Sequence, residues 1–278
     1  MLFWALGALV AAAMTSSRGA LAVALVAACI WSGMRALQFD DTPHLPFIAF
    51  WLAAAALALV WNSAPARHLV SISALVWWGV NGGDVHNPAF VWAAGTALLL
   101  GGGLLAQARG PEPVRMLGEL GAAYAAFATI PVLAFAVVDL SGTLELSAWL
   151  IVCGVLGIVF AAAASALMGR PSLVLASAAI GLMLVAVGLS RAGFAGSEWL
   201  TDAAAIAAAL CLIVSGMLED TRPRVVAGWI GLAVVIAAIT WTVQGSLLKR
   251  SLFLAIAGAA AILLALALGR LLPREAER

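Results

Sequence analysis

Residues 146–190 read LSAWLIVCGVLGIVFAAAASALMGRPSLVLASAAIGLMLVAVGLS, with Arg170 the one charged residue in the stretch. Two apolar runs of about twenty residues each flank the connection Gly169-Arg170-Pro171, and a run of that length and character is long enough to cross a hydrocarbon core as a helix. In lipid each backbone N–H and C=O must find its partner within the segment, so a helix is the structure the run requires. A connection this short makes the two helices antiparallel neighbours.

The same rhythm extends in both directions. Breakers and apolar runs predict helices near 2–15, 19–37, 45–62, 66–81, 88–106, 116–139, 146–168, 172–190, 199–218, 224–242 and 249–271. That is an all-α, polytopic transmembrane helix bundle of about eleven spans, or ten if the first does not cross, forming a single integral membrane domain over 1–278. Hydrophobic residues make up 65% of the chain and charged residues 10%, against roughly 25% charged in soluble domains. The mean hydropathy is +1.11. A sizeable water-soluble domain is excluded by these values. The first apolar run, Leu2 to Met14, has no basic stretch before it, since Arg18 follows it; it reads as a helix and not as an export signal.

Short loops rich in Lys and Arg stay on the cytoplasmic side. Alternate loops and the tail hold Arg18, Arg67, Arg109, Arg115, Arg170, Arg222, Arg224, Arg270, Arg274 and Arg278, and the opposite set holds Arg35, Arg191, Lys249 and Arg250. The bias puts the C-terminus in the cytoplasm. The basic residues form no stripe, so nucleic acid is not an expected partner. Trp31, Trp77, Trp78, Trp149, Trp199 and Trp241 fall near the opposite ends of the spans and are expected to be interfacial anchors. Cys29, Cys153 and Cys211 lie inside apolar runs as packing residues.

Two successive hairpins echo each other. One reads Trp31-Ser32-Gly33, Asp40-Asp41, His44-Leu45-Pro46-Phe47 and Trp51, the other Trp78-Gly79, Asp84, His86-Asn87-Pro88, Phe90 and Trp92. Repeated hairpins near 19–62, 66–106, 116–168, 172–218 and 224–271 are therefore expected. A drug/metabolite-transporter fold of two similar halves is the competing architecture for ten helices, and the hairpin unit counts against it.

The opening Leu2-Phe3-Trp4-Ala5-Leu6-Gly7-Ala8-Leu9, the Ser16-Ser17-Arg18 turn, the Trp31 helix end, and Gly245-Ser246-Leu247-Leu248-Lys249-Arg250 followed by a Gly258-bearing helix and an arginine tail resemble the domain of unknown function 2157 group. Those are bacterial polytopic membrane proteins without an established activity. The resemblance covers most of the chain and implies a bacterial inner-membrane location, with no catalytic residues to carry over. Members of that group usually have an N-terminal portion not found in this sequence.

Asp41, His44, Asp84 and His86 are the candidate chemical cluster, two imidazoles and two carboxylates on one face of adjacent units. They suit Zn²⁺ or a similar divalent cation if the loops meet; the alternative is that the aspartates cap helices and the histidines fill a polar interface. Lys249 and Arg250 suit an anion or a lipid headgroup, or simply snorkel. Glu119 sits one turn from a potential partner, Arg115, and Pro131 beside Thr129 marks a kink. No nucleophile triad, phosphate loop or metalloprotease helix appears. The expectation is no enzyme and no cofactor. The lipid bilayer is the implied partner, with a small solute or divalent cation as ligand, and the sequence names no protein partner. The leading reading is a transporter-like bundle for a small solute, ion or lipid; the alternative is an envelope sensor, scaffold or accessory protein.

Overall fold

In a computed structural model the described residues are 2–38, 45–81, 88–138, 148–192 and 196–242, together with helical positions scattered between 248 and 267. Among them are ten helices: α1 (Leu2–Thr15), α2 (Arg18–Gln38), α3 (Leu45–Val60), α4 (Ala64–Asn81), α5 (Pro88–Arg109), α6 (Glu112–Val138), α7 (Ala148–Met168), α8 (Leu173–Ser190), α9 (Ser197–Leu218) and α10 (Arg222–Thr242). No strand occurs among the described residues. Seven of the helices, α2 and α5 to α10, are long and apolar enough to cross a membrane. The fold is an all-helical bundle of the membrane-protein kind.

Local chemistry explains the ends. Pro46, Pro65, Pro88, Pro113 and Pro223 each sit in the first turn of a helix, where the missing N–H leaves nothing unpaired. Ser17 Oγ accepts the N–H of Ala20 and caps α2. Helices α3, α7 and α9 stop in the same way. Asn62, Gly169 and Asp220 take left-handed φ values of 48°, 61° and 50°. The next N–H then reaches back past the normal helical partner, from Ser63 to Ala58, Arg170 to Ser165 and Thr221 to Gly216. This is a Schellman closure, which satisfies carbonyls that would otherwise be orphaned.

Packing in the second half relies on small residues. The helix α5 lies against α6 and α7, α8 against α9, and α10 against both α6 and α9. At the α5–α7 crossing a methyl group on Gly101 would overlap the carbonyl of Gly157. A Cβ on Gly103 would stand 2.6 Å from the carbonyl oxygen of Gly118 in α6. Without a hydrophobic drive between helices in lipid, such close backbone approach is how dispersion holds a bundle together. Large apolar side chains such as Phe135, Val152, Val159 and Val174 point outward, where a soluble protein would place charge.

The tryptophans divide. Trp199 and Trp241 are exposed, but Trp77 and Trp78 are buried. Trp77 stacks on Phe47 at 5.4 Å between ring centres, and Trp78 stacks on Trp149 at 5.6 Å. Trp78 also lies across Gly95 of α5, and Trp92 across Gly79 of α4. Each glycine leaves a notch into which the opposing indole fits, so these rings are internal packing, not headgroup anchors. The indole N–H of Trp77 donates to Ser32 Oγ at 3.1 Å, which removes the cost of burying it.

Candidate functional site

Helix α4 has the length of a span yet is not among the seven apolar ones. Its polar residues explain why: Arg67, Ser71 and Ser73 are buried, and His68 is half-buried. A helix with that content needs protein, not lipid, around it, and α4 contacts α2, α3, α5 and α6.

Each polar group on α4 has a distinct arrangement. Arg67 donates from Nη1 to Asn62 Oδ1 at 2.7 Å, bracing the left-handed turn that precedes its own helix. The Nε of Arg67 is buried without a partner. His68 Nδ1 lies 2.9 Å from the phenol oxygen of Tyr124 in α6, with the rings edge to face. The carbonyl of Val70 accepts both the Trp51 indole N–H and the Ser73 hydroxyl at 2.9 Å, which ties α3 to α4. Ser71 is 5% exposed and its hydroxyl has no partner.

A half-open cavity of about 220 Å³ lies where α3, α4, α5 and α6 meet, with Trp51 and Ser71 on one side and Gly102, Gly103, Gly118 and Gly121 forming the floor. The lining is almost wholly apolar, and a small number of placed polar groups in an apolar concavity is the usual form of a ligand pocket. Ser71 is among the residues that line it, but its hydroxyl oxygen is itself buried and presents no surface to the space.

A second polar assembly joins the α7–α8 and α9–α10 turns. Arg170 Nη1 donates to Glu219 Oε2 at 2.8 Å, and the Ser172 hydroxyl donates to Glu219 Oε1. The Glu219 side chain is 5% exposed against 59% for Arg170. Arg224 is buried close by, and its Nη1 has no partner. Its geometry is that of a clamp between turns.

The sequence candidates Asp41, His44, Asp84, His86, Lys249 and Arg250 all lie outside the described residues. Among the described residues no three of His, Cys, Asp and Glu converge as metal ligands. Glu119 and Arg115 are both exposed on α6, and Pro131 lies within a helix that runs from Glu112 to Val138, with the Thr129 hydroxyl bonded to the Ala126 carbonyl. Sequence reading missed the His68–Tyr124 pair. The available signal was chemical: Tyr124 is the single tyrosine of the chain, and His68 follows Arg67 in a helical stretch where ionisable groups are unusual. Comparison with protein-family models, with curated proteins and with solved structures gives no match for this chain.

Proposed function

We propose that this chain is a non-enzymatic bacterial inner-membrane bundle that carries a small solute, ion or lipid, and that the pocket walled by α3 to α6 is where its ligand sits. The observation that carries the reading is an apolar cavity beside α4, the one long helix among the described residues too polar to face lipid, which bears buried Arg67, Ser71 and Ser73 and the half-buried His68 paired with Tyr124. Polar groups at that depth are costly and are usually kept for function.

The finer architecture belongs to the same proposal. Eleven spans are part of this reading, made up of the ten described helices and the apolar run near 249–271, although α1 and α3 are shorter than the seven long apolar helices. The hairpin repeat rests on the sequence echo between 31–51 and 78–92. The arginine bias supports a cytoplasmic C-terminus, and the resemblance to the domain of unknown function 2157 group supports the inner-membrane location. In this reading Asp41, His44, Asp84 and His86 form a divalent-cation site at the opposite end, and Lys249 and Arg250 hold an anion or headgroup.

The test is a thermal-shift panel on the full chain purified in mild detergent, using Zn²⁺, Mg²⁺, Ca²⁺, phosphate, sulfate and neutral small solutes. The wild type runs beside Gly121→Leu, which fills the pocket, and beside His44→Ala/His86→Ala. A ligand that raises Tm in the wild type but not in one of the variants assigns the ligand to that site. If no ligand separates the three proteins, the carrier reading fails and the accessory or scaffold reading replaces it.

A further inference from the structure

We infer that Glu219 is a two-position switch at one end of the bundle: bonded to Arg170 and Ser172 it locks the α7–α8 turn to the α9–α10 turn, and when those turns part it passes to Arg224 in its own hairpin. Nothing in this switch depends on what the α3–α6 pocket holds.

Each turn closes on itself. In the α7–α8 turn the Arg170 N–H donates to the Ser165 carbonyl at 3.1 Å and the Ser165 hydroxyl donates to the Arg170 carbonyl at 2.8 Å, around left-handed Gly169. In the α9–α10 turn the Glu219 N–H donates to Ser215 at 3.2 Å, the Thr221 N–H to Gly216 at 2.8 Å and the Arg224 N–H to Thr221 at 3.1 Å. The backbone of each turn is therefore held without the other. Side chains make the joint: Glu219 accepts from Arg170 Nη1 at 2.8 Å and from the Ser172 hydroxyl. A joint that runs through one carboxylate can part while both turns keep their shape.

The second position is built beside the first. Arg224 is 4% exposed, its Nη1 is buried without a hydrogen-bond partner, and its guanidinium lies within electrostatic reach of both Glu219 and Arg170. The stem of Arg224 is fixed where α9 crosses close at Gly216, since an added Cβ there would stand 3.0 Å from the Arg224 Cβ. Glu219 is thus drawn by two cations, one largely exposed on the neighbouring hairpin and one buried in its own.

Magnitudes decide how evenly it is drawn. The bond to Arg170, 59% exposed, is screened by solvent and is worth little. A buried guanidinium with an unmade hydrogen bond carries a penalty that a carboxylate removes. Parting the turns loses the first and gains the second, so the two arrangements lie close in free energy. The other charged side chains of the α9–α10 turn, Asp220 and Arg222, are exposed and act on both arrangements through solvent. An interface with two discrete arrangements of similar free energy is the form that a gate between hairpins takes.

The test places spin labels at Leu167→Cys and Val226→Cys, two exposed positions in the helical turns that flank the joint, in the full chain carrying Cys29→Ala, Cys153→Ala and Cys211→Ala in lipid nanodiscs. Double electron–electron resonance then reads the ratio of the longer, parted distance to the shorter, locked one. Ser172→Ala weakens the locked position while leaving both cations, so the ratio should rise. Arg170→Ala should raise it about fivefold over the wild type. Arg224→Gln added to Ser172→Ala should lower the ratio about fivefold, because the parted position loses its partner. If Arg224→Gln does not elute as folded protein, Arg224→Lys keeps the buried charge and should still lower the ratio about twofold, since an ammonium does not reproduce the guanidinium fork. A ratio that stays unchanged or rises on replacing Arg224, or one distance in every variant, overturns the inference and leaves a static clamp.

Discussion

Helices α5 and α7 meet through Gly101 and Gly157 with no room for a methyl group, whereas α4 and α5, packed side by side in the same bundle, leave a cavity of about 220 Å³ with α3 and α6. The composition of the two contacts accounts for the difference. In the first, glycine faces backbone, and the close approach excludes everything else. In the second, Gly103 and Gly118 still draw α5 and α6 together, while Trp51 of α3 and Ser71 and Ala74 of α4 stand around the remaining space. Small residues close the α5–α7 and α5–α6 seams, and space is left only where α3 and α4 come alongside.

The seam should therefore be the most fragile place in the molecule. Gly157→Val puts branched carbon onto the backbone of Ala97, so neither partner can yield by changing a rotamer. We expect a loss of about 3 kcal/mol or more, read as failure to recover monodisperse protein by gel filtration. Gly121→Leu on the trough side should by contrast give a normal elution profile. Equal damage from the two would remove the distinction between seam and trough.

The clamp at the turns sharpens the contrast with α4. Glu219 is nearly buried and takes bonds from Arg170 and Ser172, with buried Arg224 nearby. Glu219→Ala should cost about 2–3 kcal/mol, because it leaves positive charge buried without compensation. Arg170→Ala removes the same bond from the exposed partner, and solvent screening limits the expected loss to about 1 kcal/mol or less. Thermal unfolding in detergent reads both. A larger effect from Arg170→Ala would show that Glu219 is not the centre of the clamp.

An intermediate effect is expected where aromatic packing replaces small residues. Trp77→Phe keeps the ring but loses the indole bond to Ser32 and part of the stack on Phe47, at about 1–2 kcal/mol. Ser32→Ala should cost less than Trp77→Phe, since it leaves the stack in place; unfolding of each variant beside the double variant measures the share held by the bond.

Much of this fold can be read along the chain because membrane helices answer to a strong, local constraint: each must be apolar for its whole length and must end where polarity begins. The ends that moved did so for local reasons. Helix α6 begins at Glu112 and not near 116, since charged first-turn residues are compatible with a helix that projects past the hydrocarbon, and α5 runs on to Arg109 for the same reason. The site is a different matter. His68 and Tyr124 meet only because α4 and α6 are neighbours, and the cavity exists only where α3, α4, α5 and α6 converge. Apolar periodicity says which residues form a helix, not which helices touch, because in lipid nearly every face is apolar. The tryptophans show the same limit. Trp78 and Trp199 look alike in sequence, both near a helix end, and differ in whether a glycine notch stands opposite.

The finest test of the two regions uses one substitution twice. Ser165 of α7 and Ser71 of α4 are both buried serines, at 6% and 5% exposure. The Ser165 hydroxyl donates to the carbonyl of Arg170 at 2.8 Å, closing the turn after the left-handed Gly169, while the Ser71 hydroxyl donates to nothing. Ser165→Ala should cost about 1 kcal/mol, the net worth of a satisfied bond. Ser71→Ala should be neutral or raise stability by up to about 1 kcal/mol in lipid-free micelles, because removing an unpaired buried hydroxyl removes its desolvation penalty. Opposite signs in the same unfolding assay mean that α4 carries a polar group for something other than folding. Equal losses would mean that Ser71 has a partner within the fold.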